Sequence, residues 1–148
     1  MNIELKRATL KDLDEVIDIE TSGTSQTYAG LIKPGEARDA IINNFVFLIR
    51  HNNITIGSIS YKINNKDSVR LDTFVVYLNY RGKGFGKAAI ALLLKKTNKF
   101  KKVDLTVHPH NSRAISLYLS VGFMIESWQD NYYGDGEPRM ILVKHKKK

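Results

Sequence analysis

The sequence predicts a mixed α+β fold of six or seven strands and about four helices. Three observations carry that expectation. Runs with a two-residue apolar period alternate with runs of helical period, in the order β-α-α-β-β-β-α-β-α-β-β. A glycine-rich segment, Tyr80 to Lys87, ends one apolar strand and opens an apolar helix, as a β-α-β crossover requires. No repeat, low-complexity tract or Pro/Ser-rich linker interrupts the pattern, so residues 1–148 read as a single domain with a basic tail at 144–148.

The elements follow in order. Ile3 and Leu5 alternate with polar residues and open the chain with a short strand. Thr9 and Asp12 have the Thr-x-x-acid spacing of a capping box. Leu13, Val16 and Ile17 then share a face, which predicts a helix over 11–20. Residues 21–35, rich in Ser, Thr and Gly, read as loop before a short helix over 36–43. Strands at 45–50 and 54–63 flank the hairpin connection His51-Asn52-Asn53, and a turn at 64–67 leads into a third run, 68–78. Strict alternation there puts Asp72, Phe74 and Val76 on one face, and Leu71, Thr73 and Val75 on the other. A helix over 86–98 offers Ala89, Ile90, Leu93 and Leu94 to the core. A strand at 103–107, a helix over 112–121 ended by Gly122, and a hairpin across Gly134-Asp135-Gly136 complete the chain.

Composition narrows the function. With 148 residues, 43% of them hydrophobic and 26% charged, the chain can bury a sizeable core. No apolar run approaches the roughly 20 residues of a membrane span, and the first residues lack the apolar stretch of a signal peptide. A cytoplasmic protein with no membrane partner is expected. The absence of cysteine excludes disulfides, thiolate metal sites and a cysteine nucleophile, and no metal site is expected. Lys144, Lys146, Lys147 and Lys148 supply half of the formal charge of +8, a balance that favours anionic partners. A nucleic-acid-binding module would interleave clustered cations with exposed aromatics. Here the aromatics fall in strand patterns and the basic tail has none, so no nucleic-acid partner is expected.

The segment Tyr80-Arg81-Gly82-Lys83-Gly84-Phe85-Gly86-Lys87 carries the chemistry. A glycine-rich strand-to-helix loop lets backbone N–H groups converge at a positive helix end, and Arg81, Lys83 and Lys87 surround it with cations. A P-loop fails, because Ala88 follows Lys87 and no glycine stands five residues before Gly86. A dinucleotide fingerprint starting at Gly82 fails where Lys87 replaces its third glycine. The spacing that fits is Arg-x-x-Gly-x-Gly at Arg81, Gly84 and Gly86.

With that loop, the chain resembles the GNAT superfamily of acetyl-CoA-dependent N-acetyltransferases, and among them the ribosomal-protein alanine and N-terminal acetyltransferases and small bacterial or archaeal GNAT enzymes. The resemblance runs nearly end to end. It takes in the Ile-x-Leu-x-Arg-x-Ala-Thr opening, the Phe-Val-Val strand, the loop itself, Asn111-x-x-Ala114-x-x-Leu117-Tyr118, and Gly122-Phe123. It implies a central mixed, twisted sheet with a splayed strand pair, where backbone at Phe74, Val75 and Val76 meets the pantetheine arm of acetyl-CoA. It implies that amides from Gly82, Lys83, Gly84, Phe85, Gly86 and Lys87, with Arg81 beside them, cradle the pyrophosphate. Val76 N–H would donate to the thioester carbonyl. Tyr118 would be the general acid for the leaving thiolate, with Asn111 both capping its helix and lying near the cofactor.

For the general base the resemblance implies a Glu or His twelve residues before the tyrosine, where this chain has Thr106. Asp72 is the favoured substitute; His108, Glu20 and Glu126 are further candidates. Transfer would be direct to a primary amine. An α-amine with pKa about 7.7–8.0 is far more often neutral than a lysine amine near 10.4, which favours peptide N-termini over lysines. Asn131-Tyr132-Tyr133-Gly134-Asp135-Gly136-Glu137 resembles the hairpin that walls the peptide groove in N-terminal acetyltransferases. A small-molecule amine, or a non-catalytic acetyl-CoA-binding module, is the alternative. An exposed edge near the C-terminal hairpin is compatible with a homodimer.

Overall fold

The computed structural model describes residues 2–25, 27, 28 and 30–146. A seven-stranded sheet with order β1-β2-β3-β4-β5-β7-β6 forms the centre. Its strands are β1 (Ile3–Arg7), β2 (Phe45–His51), β3 (Ile54–Asn65), β4 (Ser68–Val76), β5 (Lys102–Val107), β6 (Met124–Gln129) and β7 (Arg139–His145). All neighbours are antiparallel except β4 and β5. The helices are α1 (Leu13–Gly23), α2 (Pro34–Asn43), α3 (Phe85–Lys96) and α4 (Ser112–Ser120).

The sheet separates two cores. On one face α3 and α4 bury Ala89, Ile90, Leu93 and Tyr118 against Ile59, Leu71, Leu105 and Leu142. On the other, α1 and α2 bury Val16, Ile19, Ala40 and Ile41 against Val46, Leu48 and Val75. The Thr9–Asp12 capping box forms, with Thr9 N–H donating to Asp12 Oδ2 at 2.9 Å. It closes a short 3₁₀ turn, Leu10–Asp12, and α1 proper starts at Leu13, later than the spacing predicts. Asn52 and Asn53 adopt positive φ in the β2–β3 turn, a conformation that asparagine tolerates better than most residues.

The face assignment of β4 is corrected. Leu71 packs with Phe74 and Val76 on the α3–α4 side, whereas Val75 lies on the α1–α2 side. The reason is a bulge: Thr73 pairs with Ser60 and Leu71 with Tyr61, so Asp72 has no partner of its own in β3. One extra residue shifts the alternation and increases local twist. On its other side β4 pairs with β5 only through Ser68, Val69 and Arg70, opposite Lys102, Val103 and Asp104. Beyond those pairs the two strands diverge.

Candidate active site

The wedge between the diverging strands opens into a cavity of about 560 Å³. Of the residues singled out from sequence, Asp72, Phe74, Val75, Val76, Arg81, Gly82, Gly84, Gly86, Lys87, Thr106, His108, Asn111 and Tyr118 all line it. Lys83, Phe85, Glu20 and Glu126 do not. Phe85 turns its ring into the core against His51 and Tyr80, so only its backbone belongs to the loop. Glu126 lies on the exposed edge strand β6, away from the wedge.

The glycine loop is shaped by its backbone. Gly82 and Gly84 have φ of 74° and 87°, and Gly84 is the N-cap of α3. Any side chain at Gly84 would be strained there. The first amides of α3 have no intrahelical acceptor and sit at the positive end of the helix. Arg81 donates from Nε to Val76 O at 2.7 Å, which ties the loop to the end of β4. A Cβ at Gly82 would stand 3.8 Å from Arg113 Nη2, so Arg113 of α4 joins Arg81 and Lys87 around the loop.

The edge of β4 is less open than the sequence reading expects. Tyr77 N–H donates to Ile56 O, and Val75, of the same parity, turns its backbone toward β3. Phe74 and Val76 therefore present theirs to the wedge. The Phe74 N–H is already used, donating to the Tyr28 hydroxyl at 3.1 Å. Tyr28 in turn donates to Glu20 Oε2 at 2.8 Å. Glu20 is fully buried and also accepts from Ser58 Oγ and the Leu31 N–H. Burial raises the Glu20 carboxyl pKa, and its hydrogen bonds offset part of the rise. Burial, reinforced by the Glu20 charge, holds the Tyr28 hydroxyl well above its ordinary range. Glu20 thus positions Tyr28 and does not face the cavity.

Two further groups separate by geometry. Asp72 reaches the cavity from the bulge, with Lys62 Nζ 3.8 Å from its carboxylate. His108 is buried, and its Nδ1 accepts the His110 N–H at 3.0 Å. A neutral imidazole held that way carries its proton on Nε2 and has its lone pair engaged. Nε2 has no hydrogen-bond partner among the described residues, and Glu137 Oε1 is 3.6 Å away. His108 thus has Nδ1 engaged by the backbone and Nε2 buried. Thr106 pairs with the Tyr133 hydroxyl at 2.6 Å. Tyr118 is buried on α4, and burial alone raises its hydroxyl pKa. Asn111 caps that helix by accepting the Ala114 N–H at 3.3 Å.

The lip opposite the loop is the β6–β7 connection. Arg70 donates to the Tyr132 hydroxyl at 2.7 Å while Nε holds Asp104 at 2.7 Å. Arg139 is buried, stacks its guanidinium 5.1 Å from the Tyr133 ring centroid and donates to Asp135 Oδ2 at 3.2 Å. The Glu137 N–H, then Arg139, hold the Asp135 carboxyl pKa low.

The sequence profile of the Acetyltransferase (GNAT) family matches residues 13–123, three quarters of the chain. The chain belongs to the GNAT acetyltransferase family. It is therefore an acetyl-CoA-dependent acetyltransferase by class. No curated protein matches it in sequence. Among solved structures, the Escherichia coli ribosomal-protein-S18-alanine N-acetyltransferase is similar at TM-score 0.82 and 22% identity, covering 99% of this chain and 95% of that one. Arabidopsis thaliana Naa50 in complex with the bisubstrate analogue CoA-Ac-MVNAL gives 0.80 and 24%, over 97% and 99%. A GNAT family acetyltransferase from Elizabethkingia anophelis with acetyl-CoA bound gives 0.73 and 17%, over 97% and 98%.

Among the residues lining this GNAT cavity, Tyr28, Arg113 and Arg139 escaped the sequence reading. Arg113 had a signal, standing two residues after the capping Asn111 and facing the same loop. Arg139 had none, because a basic residue opening a strand is unremarkable in a chain this rich in cations. Tyr28 was the one aromatic in a Ser/Thr/Gly-rich loop, which marks a residue with somewhere to insert.

Proposed function

We propose that this chain acetylates the N-terminal α-amine of a peptide or protein by direct transfer from acetyl-CoA. One observation supports the acceptor class above others. Tyr132 and Tyr133 are anchored across the wedge onto Arg70 and Thr106, so the β6–β7 connection forms a fixed wall beside the buried tyrosine of α4. A wall of that kind suits an extended chain entering end-on.

The residues fit acetyl-CoA. The amides of the loop and of the first turn of α3, with Arg81, Lys87 and Arg113, supply donors and positive charge for a pyrophosphate. The edge of β4 facing the wedge suits the amide-bearing pantetheine arm at Val76, and at Phe74 through its carbonyl, since the Phe74 N–H is taken by Tyr28. Acetyl-CoA, when bound, supplies a thioester as the acetyl donor. Val76 N–H stabilises negative charge developing on the carbonyl oxygen, a contribution typically worth about 10²–10³-fold. Tyr118 gives its proton to the departing sulfur, and its raised pKa keeps that proton in place at neutral pH. Asp72 accepts the proton from the attacking amine, directly or through water, from the bulged position of β4, which lines the cavity. An α-amine, about a tenth neutral near pH 7, makes small demands on that base.

The test uses a peptide with both a free N-terminus and an internal lysine, incubated with acetyl-CoA and mapped by tandem mass spectrometry. Acetyl on the N-terminal nitrogen supports the reading. Acetyl on the lysine alone contradicts it.

A further inference from the structure

The rim of the sheet opposite the glycine loop has a different character. The register carries this rim through Ser68, Lys102 and His145, while the loop rim passes Val76 and Met140. α3 starts at the loop and runs 12 residues back toward the far rim, a distance of about 18 Å at 1.5 Å per residue. There three segments remote in sequence are bonded together. Lys101 and Lys102 N–H both donate to Asp67 O, and Lys146 N–H donates to Lys101 O. Lys102, Lys144 and Lys146 line one shallow cleft with Thr97 and Asn98.

The charge there is one-sided. Residues 66–67, 95–102 and 144–146 contain eight lysines and a single acid, Asp67. These 13 residues carry +7 of the chain's formal +8. Asp67 meets Lys101 at 3.8 Å, and nearby Asp104 is held by Arg70 and Asn64, so neither neutralises the group as a whole. The aromatic rings beneath, Phe47 and Phe100, are buried under Lys96 and Lys99 at 5.0 and 5.3 Å. Among the described residues the surface thus offers mainly ammonium groups, with His145 as its one exposed ring. A protein partner would select for an apolar interface centre depleted of lysine; nucleic-acid interfaces are polar and strongly positive.

We infer that this lysine-rich pole docks the phosphodiester backbone of a nucleic acid, without base readout. Sequence order hides the feature, since its cations lie on segments up to 80 positions apart, from Lys66 to Lys146. The pole lies at the rim away from the wedge, so docking leaves the acetyl-transfer site open.

Fluorescence anisotropy of the full chain with labelled RNA and duplex DNA of about 20 nucleotides or base pairs tests this. Four phosphate contacts on duplex DNA give a log–log salt slope of about −3.6, roughly a hundredfold loss of affinity between 50 and 200 mM salt. Lys99→Glu with Lys146→Glu should lower affinity at least about tenfold and flatten the slope by about 2. Lys11→Glu with Lys33→Glu, the same charge change at exposed sites elsewhere, should stay within about twofold, with circular dichroism confirming that both pairs fold. Absence of salt-sensitive binding, or equal losses in the two double variants, overturns the proposal. Displacement of the nucleic acid by polyglutamate at equal charge concentration also overturns it, in favour of an acidic protein. None of these outcomes depends on which amine the wedge acetylates.

Discussion

Replacing Tyr28 by Phe removes one hydroxyl that serves two partners, Glu20 and the Phe74 N–H. Glu20 Oε2 would keep only the longer bond from Leu31 N–H at 3.4 Å, and Oε1 the bond from Ser58 at 3.2 Å. A hydrogen bond to a charged group contributes about 1.5–3 kcal/mol net. The Phe74 N–H faces the cavity, where water replaces the lost partner, and adds little. At roughly 2–4 °C per kcal/mol for a chain of this size, the expected loss is roughly 3–12 °C in Tm.

The loss has a pH signature. Burial raises the Glu20 pKa, so the folded carboxyl holds its proton to higher pH than the unfolded one. The linked stability is complete below the ordinary carboxylate range and is lost as pH rises through the raised value. Tyr28 moderates that loss by donating to the carboxylate, so its removal costs more near about pH 8 than near about pH 5. Circular dichroism melts at the two pH values measure both effects. A Tm within about 1 °C of the parent at the higher pH, or a larger deficit at the lower, refutes the reasoning.

Further substitutions probe the rest of the site. Glu20→Gln keeps an acceptor for Tyr28 and removes the buried charge, so Tm should rise near about pH 8 and change little near about pH 5; a fall at the higher pH contradicts this. Tyr118→Phe should lower turnover about tenfold or more while acetyl-CoA affinity by calorimetry stays nearly constant, and unchanged turnover removes it as the acid. Asp72→Asn should lower turnover by a similar factor without altering acetyl-CoA affinity; a loss confined to cofactor binding would reassign it. Gly84→Asp forces a side chain into φ 87° and sets a negative charge in the loop, so acetyl-CoA binding should disappear; retained affinity sinks the loop assignment.

Much of the fold was legible because local signals agreed with it. The apolar periods, the Thr9–Asp12 box and the Gly122 stop each mark an element that forms. The loop was legible for a stricter reason: positive φ at Gly82 and Gly84 is a backbone demand that few residues meet. What stayed hidden depends on pairing between segments. The bulge at Asp72 exists only relative to β3, so no pattern within β4 announces that Leu71 and Val75 face opposite cores. His108 was a candidate for the base, and its Nδ1 is engaged by the His110 amide. Glu20 was a further candidate for the base from its helix, and its carboxylate is taken up by Tyr28 and Ser58. The lysine pole is likewise a product of folding.

The most direct measurement is thiol release from acetyl-CoA by the parent chain and by Tyr118→Phe across a panel of amines. The panel holds peptides with Ala, Ser and Met N-termini, an N-blocked lysine peptide, spermidine, an aminoglycoside and free amino acids. Turnover is expected with the free N-terminal peptides, with a drop of about tenfold or more in the variant. Turnover with spermidine or the aminoglycoside alone would contradict the acceptor class. Acetyl-CoA binding without turnover on any amine would contradict the proposed catalysis in the wedge.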